Sequence, residues 1–165
     1  MTRAVLSLGS NLGDRLGYLR LAVAGLGDAV EKISPVYETA PWGVEDQPDF
    51  LNAVVVVSRP ETDEWAWLKR AQALETAAGR TREQRWGPRT LDVDIVTVDG
   101  VTSDHPDLLL PHPGTPTRAT VLIPWLAVDP AAELPGHGPI ATLLASLPEK
   151  DRTDVKERKD LTLTR

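Results

Sequence analysis

Two stretches of helical period, each bracketed by short apolar runs, narrow the folds open to this chain. Leu12, Leu16, Leu19, Val23 and Leu26 recur at spacings of four and three, which is one face of a helix. Asn11 is its expected N-cap, with Asp14 in the first turn and Gly27 as the stop. Trp67, Ala71, Leu74 and Ala78 make the buried stripe of a second helix, capped by Thr62 and ended by Gly79. Around these helices, Ala4–Leu8, Val30–Thr39, Phe50–Val57 and Leu91–Val98 read as strands. The first strand runs into a turn at Gly9-Ser10-Asn11. Pro35 marks an edge or bulge position, and Asp99-Gly100 turns the chain after the last strand. The order β-α-β-β-α-β predicts a ferredoxin-like unit of the α/β (α+β) class, with an antiparallel sheet and helices on one face.

After this unit come a proline-rich connection (Pro106, Pro111, Pro113, Pro116), a helix near Thr117–Val128 and a short helix near Ile140–Leu147. Residues 1–148 are expected to form a single domain. Residues 149–165 alternate charge with little apolar content and are expected to be a weakly ordered tail. Two segments, Ala40–Asp49 and Arg80–Thr90, are long loops for a 165-residue chain and are expected to be mobile and to close over ligands.

Composition removes several function classes. No run of eighteen apolar residues occurs, so no membrane-spanning helix is expected. The apolar run at Ala4–Gly9 is too short for a signal-peptide core. Cysteine is absent, which excludes disulfides and thiolate metal sites and agrees with an expected cytoplasmic location. The net charge of −6 makes a long nucleic-acid backbone a poor partner. Yet Lys69 to Arg89 holds six basic residues (Lys69, Arg70, Arg80, Arg82, Arg85, Arg89) against two acidic ones, Glu75 and Glu83. Such a local basic cluster suits a small polyanion, such as a nucleotide.

The sharpest chemical feature is Asp92-Val93-Asp94 inside an apolar strand. Alternate strand residues face the same way, so the two carboxylates share a face, roughly 6–7 Å apart along the chain. Carboxylates so placed repel each other unless a cation joins them, and hard oxygen ligands select Mg²⁺ or Mn²⁺. A bare D-x-D is equally compatible with an edge strand whose acidic face is solvated. The segment just upstream, Arg85-Trp86-Gly87-Pro88-Arg89-Thr90, shifts that balance. Arginine binds phosphate through planar paired hydrogen bonds, and an arginine loop entering a metal-binding strand puts both kinds of cation on one polyphosphate. Phosphoryl transfer relies on that combination of positioning and charge neutralisation.

The segment Arg85–Val96, RWGPRTLDVDIV, resembles the signature of the 6-hydroxymethyl-7,8-dihydropterin pyrophosphokinases of folate biosynthesis. Leu8-Gly9-Ser10-Asn11-Leu12-Gly13 resembles the family's opening motif. Tyr37–Pro41 and Asp46–Asn52 resemble its central block, and Pro111-His112 with Arg118 its late motif. The likeness runs in order from about residue 4 to 130. It implies transfer of diphosphate from ATP to the pterin hydroxymethyl group, releasing AMP, with two Mg²⁺ ions held by Asp92 and Asp94.

The resemblance further implies that Gln72, Glu75, Arg80, Arg82, Arg85, Trp86, Arg89, Ile95, His112 and Arg118 line the ATP site. Arg80 and Arg89 join Asp92 and Asp94 as catalytic residues. Thr39, Ala40, Trp42, Phe50, Asn52 and Trp86 form the pterin pocket. Gln72 and Glu75, three apart, are neighbours on the second helix and could also be an exposed polar flank. Phe50 and Asn52 share a strand face, setting a ring beside an amide whose donors and acceptor suit a pterin edge. Thr120 and Pro113 stand where the family usually has larger groups, which bears on the pterin and ATP pockets. The expected partners are the two small-molecule substrates, with no nucleic acid, no membrane and a monomeric state. Two other readings are a non-catalytic nucleotide-sensing ferredoxin-like domain, which leaves the paired aspartates unexplained, and a nucleotidyl transferase, which the acidic balance disfavours.

Overall fold

The computed structural model describes residues 2–40, 48–79 and 90–164. The chain begins with β1 (Thr2–Ser10), which runs two residues further than expected, so Gly9 and Ser10 belong to the strand and not to a turn. Helix α1 (Arg15–Leu26) is capped by Asp14, whose Oδ1 accepts the Gly17 N–H at 3.1 Å. Asn11 does not cap it. Its side chain is fully buried and its Nδ2 donates to the Pro48 carbonyl at 3.2 Å.

The expected strand over Val30–Thr39 is two strands, β2 (Val30–Ile33) and β3 (Tyr37–Thr39), both paired with β4 (Phe50–Arg59). Pro35 supplies no N–H, and the ladder is interrupted there. Ser34 repairs it: its N–H donates to the Val54 carbonyl at 2.9 Å, and its hydroxyl accepts the Val54 N–H at 2.9 Å while donating to the Pro35 carbonyl at 2.7 Å. Helix α2 (Glu64–Ala77) starts one residue later than expected, with Asp63 Oδ1 accepting the Ala66 N–H at 2.8 Å. Strand β5 is Asp92–Val98.

The sheet order β3-β4-β1-β5, with every pairing antiparallel, is the ferredoxin-like order. Helices α1 and α2 cover one face. Their core joins Leu19, Val23 and Leu26 of α1 and the fully buried Trp67 of α2 to Leu6, Leu8, Leu51, Val55, Val93 and Ile95 of the sheet. Leu12, expected on the buried stripe, lies outside α1 and is 43% exposed. The helices approach closely because Gly25 has no Cβ; a methyl there would collide with the Leu74 side chain. Arg70, counted above in the basic cluster, is used here: its Nη2 donates to the Gly25 and Leu26 carbonyls at 3.1 and 3.0 Å, at the C-terminus of α1.

Among the described residues the opposite face is covered at one end only. After the hairpin β6 (Ser103–His105) and β7 (Leu108–Leu110) comes helix α3 (Ala119–Val128), shorter by two residues at its start than expected. Then follow the small ribbon β8 (Glu133–Leu134) and β9 (Gly138–Pro139) and helix α4 (Ile140–Ala145). Val121, Leu122 and Trp125 of α3, with Leu134 and Ile140, pack on Val5, Val54, Val56 and Val96. This is a third layer that the one-sided expectation lacked.

The expected weakly ordered tail is a correction. Residues 149–164 form α5 (Glu149–Thr153) and β10 (Lys156–Glu157), and β10 adds to the sheet beside β3. Arg158 N–H donates to the Val36 carbonyl at 2.8 Å, and Leu163 is buried in the main core. A segment too polar to fold alone is ordered because β3 presents an edge to pair with and the core takes Leu163, with Leu161 packed against it.

Candidate active site

The end of the second sheet face that α3 leaves bare is where the sequence-predicted residues gather. Val5, Val54 and Val56, and Val96 define that face on β1, β4 and β5. Strand alternation therefore places Ser7 and Gly9 of β1, Phe50 and Asn52 of β4, and Asp92 and Asp94 of β5 on it. The register sets them in rows. Gly9 lies opposite Asn52 on one side and Asp92 on the other, and Ser7 lies between Val54 and Asp94. Tyr37 stands beside Asn52, and Thr39 beside Phe50. With strands about 4.8 Å apart, the amide of Asn52 and the carboxylate of Asp92 are separated by roughly 10 Å of sheet floored by a residue without a side chain.

Gly9 lies at the centre of these rows, and nothing in the sequence singled it out from the motif around it. A Cβ there would sit 3.2 Å from Asn52 Oδ1 and 3.6 Å from the Phe50 ring, so both side chains lean over it. Asn52 is held in place by its Nδ2, which donates to the Thr39 hydroxyl at 2.9 Å. Thr39 is buried, Phe50 and Asn52 are half-buried, and Ala40 is exposed. Among the described residues the result is an aromatic edge and an oriented amide beside a flat strip of sheet.

Asp92 and Asp94 are half-buried on the same face, as their spacing predicts. Their strand, the last in the sheet, is fastened from two sides. Behind it, Glu75 is 5% exposed and its Oε2 accepts the N–H of Val93, between the two aspartates, at 2.9 Å. Glu75 therefore lies on the inner face of α2 and not on an exposed flank, whereas Gln72 is exposed. In front, the N–H of His112 donates to the Val96 carbonyl at 2.9 Å. Ile95 is in the main core, on the face away from Asp94, so its side chain does not line the open strip.

His112 accepts the Gly114 N–H on Nδ1 at 3.2 Å, which leaves Nε2 as the protonated, donating nitrogen of the neutral ring. Burial pushes its pKa below the ordinary value, the Arg118 cation pushes the same way, and Asp92 opposes them. Arg118 precedes α3 and is exposed, and its guanidinium lies against Gly114, where a Cβ would be 2.7 Å from Nε. Thr120 is half-buried on α3 and Pro113 is exposed. Asp92, His112 and Arg118 thus form one charged corner. Among the described residues no group of three or more His, Asp or Glu could by itself hold a metal ion. Trp42, Arg80, Arg82, Arg85, Trp86 and Arg89 lie outside the described residues.

Residues 5–130 match the family model for 7,8-dihydro-6-hydroxymethylpterin-pyrophosphokinase. The chain belongs to this family. The match takes in Gly9, Asn52, Glu75, Asp92, Asp94, His112 and Arg118, and ends just after α3. Within the pterin pyrophosphokinase family, proteins named 2-amino-4-hydroxy-6-hydroxymethyldihydropteridine pyrophosphokinase are similar over most of their length. That of Mycobacterium tuberculosis is 51% identical, covering 94% of this chain and 89% of its own. That of Mycobacterium leprae is 52% identical over 94% and 88%, and that of Bacillus subtilis 44% over 73% and 74%. Among solved structures, a triple mutant of Plasmodium falciparum HPPK-DHPS superposes with a TM-score of 0.73 at 14% identity, covering 94% of this chain and 46% of that one. An HPPK-DHPS in complex with substrates gives a TM-score of 0.66 at 14% identity, over 88% and 43%. The chain spans less than half the length of these solved chains, and at that identity the likeness is one of fold.

Proposed function

We propose that this member of the pterin pyrophosphokinase family transfers the terminal diphosphate of ATP to 6-hydroxymethyl-7,8-dihydropterin, a step of folate biosynthesis. The observation that carries the reading is the strip of sheet, bare among the described residues, with Asp92 and Asp94 at one side and Asn52 and Phe50 at the other, floored by Gly9. In the reaction the pterin hydroxymethyl oxygen attacks the β-phosphorus of ATP. A new P–O bond forms there, the bond from the β-phosphorus to the bridging oxygen of the α-phosphate breaks, AMP leaves with that electron pair, and the hydroxyl proton is released.

Two carboxylates on a rigid strand fit Mg²⁺, which is usually held by one or two carboxylates with substrate phosphates and water completing its shell. Asp92 and Asp94 would hold two such ions, which when bound neutralise phosphate charge and acidify the attacking hydroxyl. Asn52, fixed by Thr39, orients the pterin edge, and Phe50 packs against the heterocycle. The Nε2–H of neutral His112 donates to a phosphate oxygen, and Arg118 beside it adds positive charge. Arg80, Arg82, Arg85, Trp86 and Arg89 carry further nucleotide contacts, with Arg80 and Arg89 acting on the charge of the transition state. Gln72 meets the nucleotide at the exposed flank of α2. Ile95 serves it through its backbone: Val93 turns its N–H outward to Glu75, and ladder alternation turns Ile95 the same way. Trp42 and Ala40 complete the pterin wall.

The test is to incubate the chain with MgATP and the dihydropterin alcohol and weigh the products. AMP and the pterin diphosphate are expected; ADP or free pyrophosphate would reject the reading. Asp92→Ala and Asp94→Ala should each lower kcat by about 10³-fold or more while the far-ultraviolet circular dichroism stays unchanged. Near-normal turnover in either variant would remove the metal assignment.

A further inference from the structure

We propose that Arg15 is a positioning residue for the pterin half of the site, and that the C-terminal strap reaches the same pocket through Glu38. The proposal rests on the reading that Thr39, Phe50 and Asn52 face the pterin. Strands β3 and β4 part at Thr39 and Phe50, which lie opposite each other. One nitrogen ties the residues flanking that point. Arg15 Nη1, in the first turn of α1, donates to Glu38 Oε2 at 2.7 Å and to the Asp49 carbonyl at 2.9 Å. Glu38 immediately precedes Thr39, and Asp49 immediately precedes Phe50. The Pro48 carbonyl next to Asp49 is held by the buried Asn11.

The other oxygen of Glu38 belongs to the C-terminal segment. Arg158 Nη1 donates to Glu38 Oε1 at 3.2 Å. Arg158 is itself set by Asp160, which accepts from its Nε and Nη2 at 3.0 and 2.8 Å, and by its own N–H on Val36. Lys156 of β10 lies opposite Glu38 in the sheet. A carboxylate between two guanidiniums is thus the joint between α1, β3 and the strap, and Arg15 and Arg158 hold it below the usual carboxylate range.

Strand alternation turns Glu38 away from the face that carries Tyr37 and Thr39. Glu38 and its arginines therefore cannot touch the pterin. They act by fixing where β3 and β4 place Thr39, Asn52 and Phe50. Among the described residues, the bonds that fasten the phosphate half, from Val93 to Glu75 and from His112 to Val96, lie apart from this joint, so the two substrates should separate in its variants. Arg158 lies beyond residues 5–130, so this support is set by a part of the chain outside the family's matched region.

The experiment compares Arg15→Ala, Glu38→Gln and Arg158→Ala with Asn52→Ala in the full chain. It measures KM for each substrate, kcat, and equilibrium binding of the dihydropterin alcohol by fluorescence. Arg15→Ala should raise the pterin KM about tenfold, the low end of one charge-assisted hydrogen bond, and Arg158→Ala, whose partly exposed bond to Glu38 is longer at 3.2 Å, about threefold, with the ATP KM unchanged. Arg158→Lys should restore the wild-type value, and Arg158→Ala should add less in a Glu38→Gln background than in the parent, because Gln keeps a neutral acceptor but loses the charge. If Arg15→Ala does not fold, Glu38→Gln and Arg158→Ala decide. An unchanged pterin KM in folded Glu38→Gln, or equal rises in both substrates' KM, overturns the clamp. Asn52→Ala separates the two readings: if it leaves the pterin KM unchanged, the pocket itself is misassigned and the clamp falls with it. If it raises the pterin KM while Glu38→Gln does not, the clamp alone is wrong.

Discussion

Replacing Glu75 with alanine should loosen the strand that carries Asp92 and Asp94 without touching either carboxylate. Val93 is at the outer side of the last strand, and its N–H is bonded to Glu75 Oε2 at 2.9 Å. Leaving a buried N–H without its acceptor costs about 1–3 kcal/mol, and the donor here is buried in a residue 6% exposed. For a protein of this size each kcal/mol moves Tm by about 2–4 °C, so Glu75→Ala should melt roughly 2–12 °C below the parent. The local signature is sharper. The Val93 amide should exchange with solvent at least about tenfold faster, while amides of β1 and β4 in the main core keep their protection. Because kcat depends on where the aspartates stand, it should fall about 10–100-fold, with Glu75→Gln, which keeps a carbonyl acceptor, intermediate in all three measurements. Heteronuclear NMR exchange and calorimetry on the same samples decide it. Unchanged Val93 exchange with normal kcat in Glu75→Ala would refute the argument that Glu75 positions the strand.

Two further outcomes follow from the site. His112 should titrate below 6.5, because burial and Arg118 both disfavour its cation, and Arg118→Ala should move the NMR midpoint up while Asp92→Asn moves it down. The sign for stability is that the native state binds fewer protons than the unfolded chain between the lowered midpoint and 6.5, so stability conferred by the neutral ring is lost as pH falls through that window; a midpoint at or above 6.5 contradicts the assignment. Gly9→Ala should leave the fold intact but press on Asn52 Oδ1 and fill the space beside the Phe50 ring, raising the pterin KM about tenfold or more, the usual scale of one methyl group in a tight pocket. A pterin KM equal to the parent's would show that the strip over Gly9 is not where the pterin lies.

What the sequence determined by itself is whatever local periodicity encodes. The β-α-β-β-α-β order, the shared face of Asp92 with Asp94, and the shared face of Phe50 with Asn52 all follow from strand and helix periods. Its errors were also local: Asn11 and Thr62 are plausible caps, but the neighbouring Asp14 and Asp63 have the geometry to accept the N–H three residues on. The roles of Glu75, Arg70, Arg15 and Arg158 were not legible, because each is defined by a partner 18 to 120 residues away. A buried carboxylate and a solvated one read alike in a helix until the strand beside it is placed. The same holds for the tail: residues 149–164 cannot bury enough apolar surface to order themselves, and only the open edge of β3, supplied by the tertiary fold, gives their backbone and Leu163 somewhere to go.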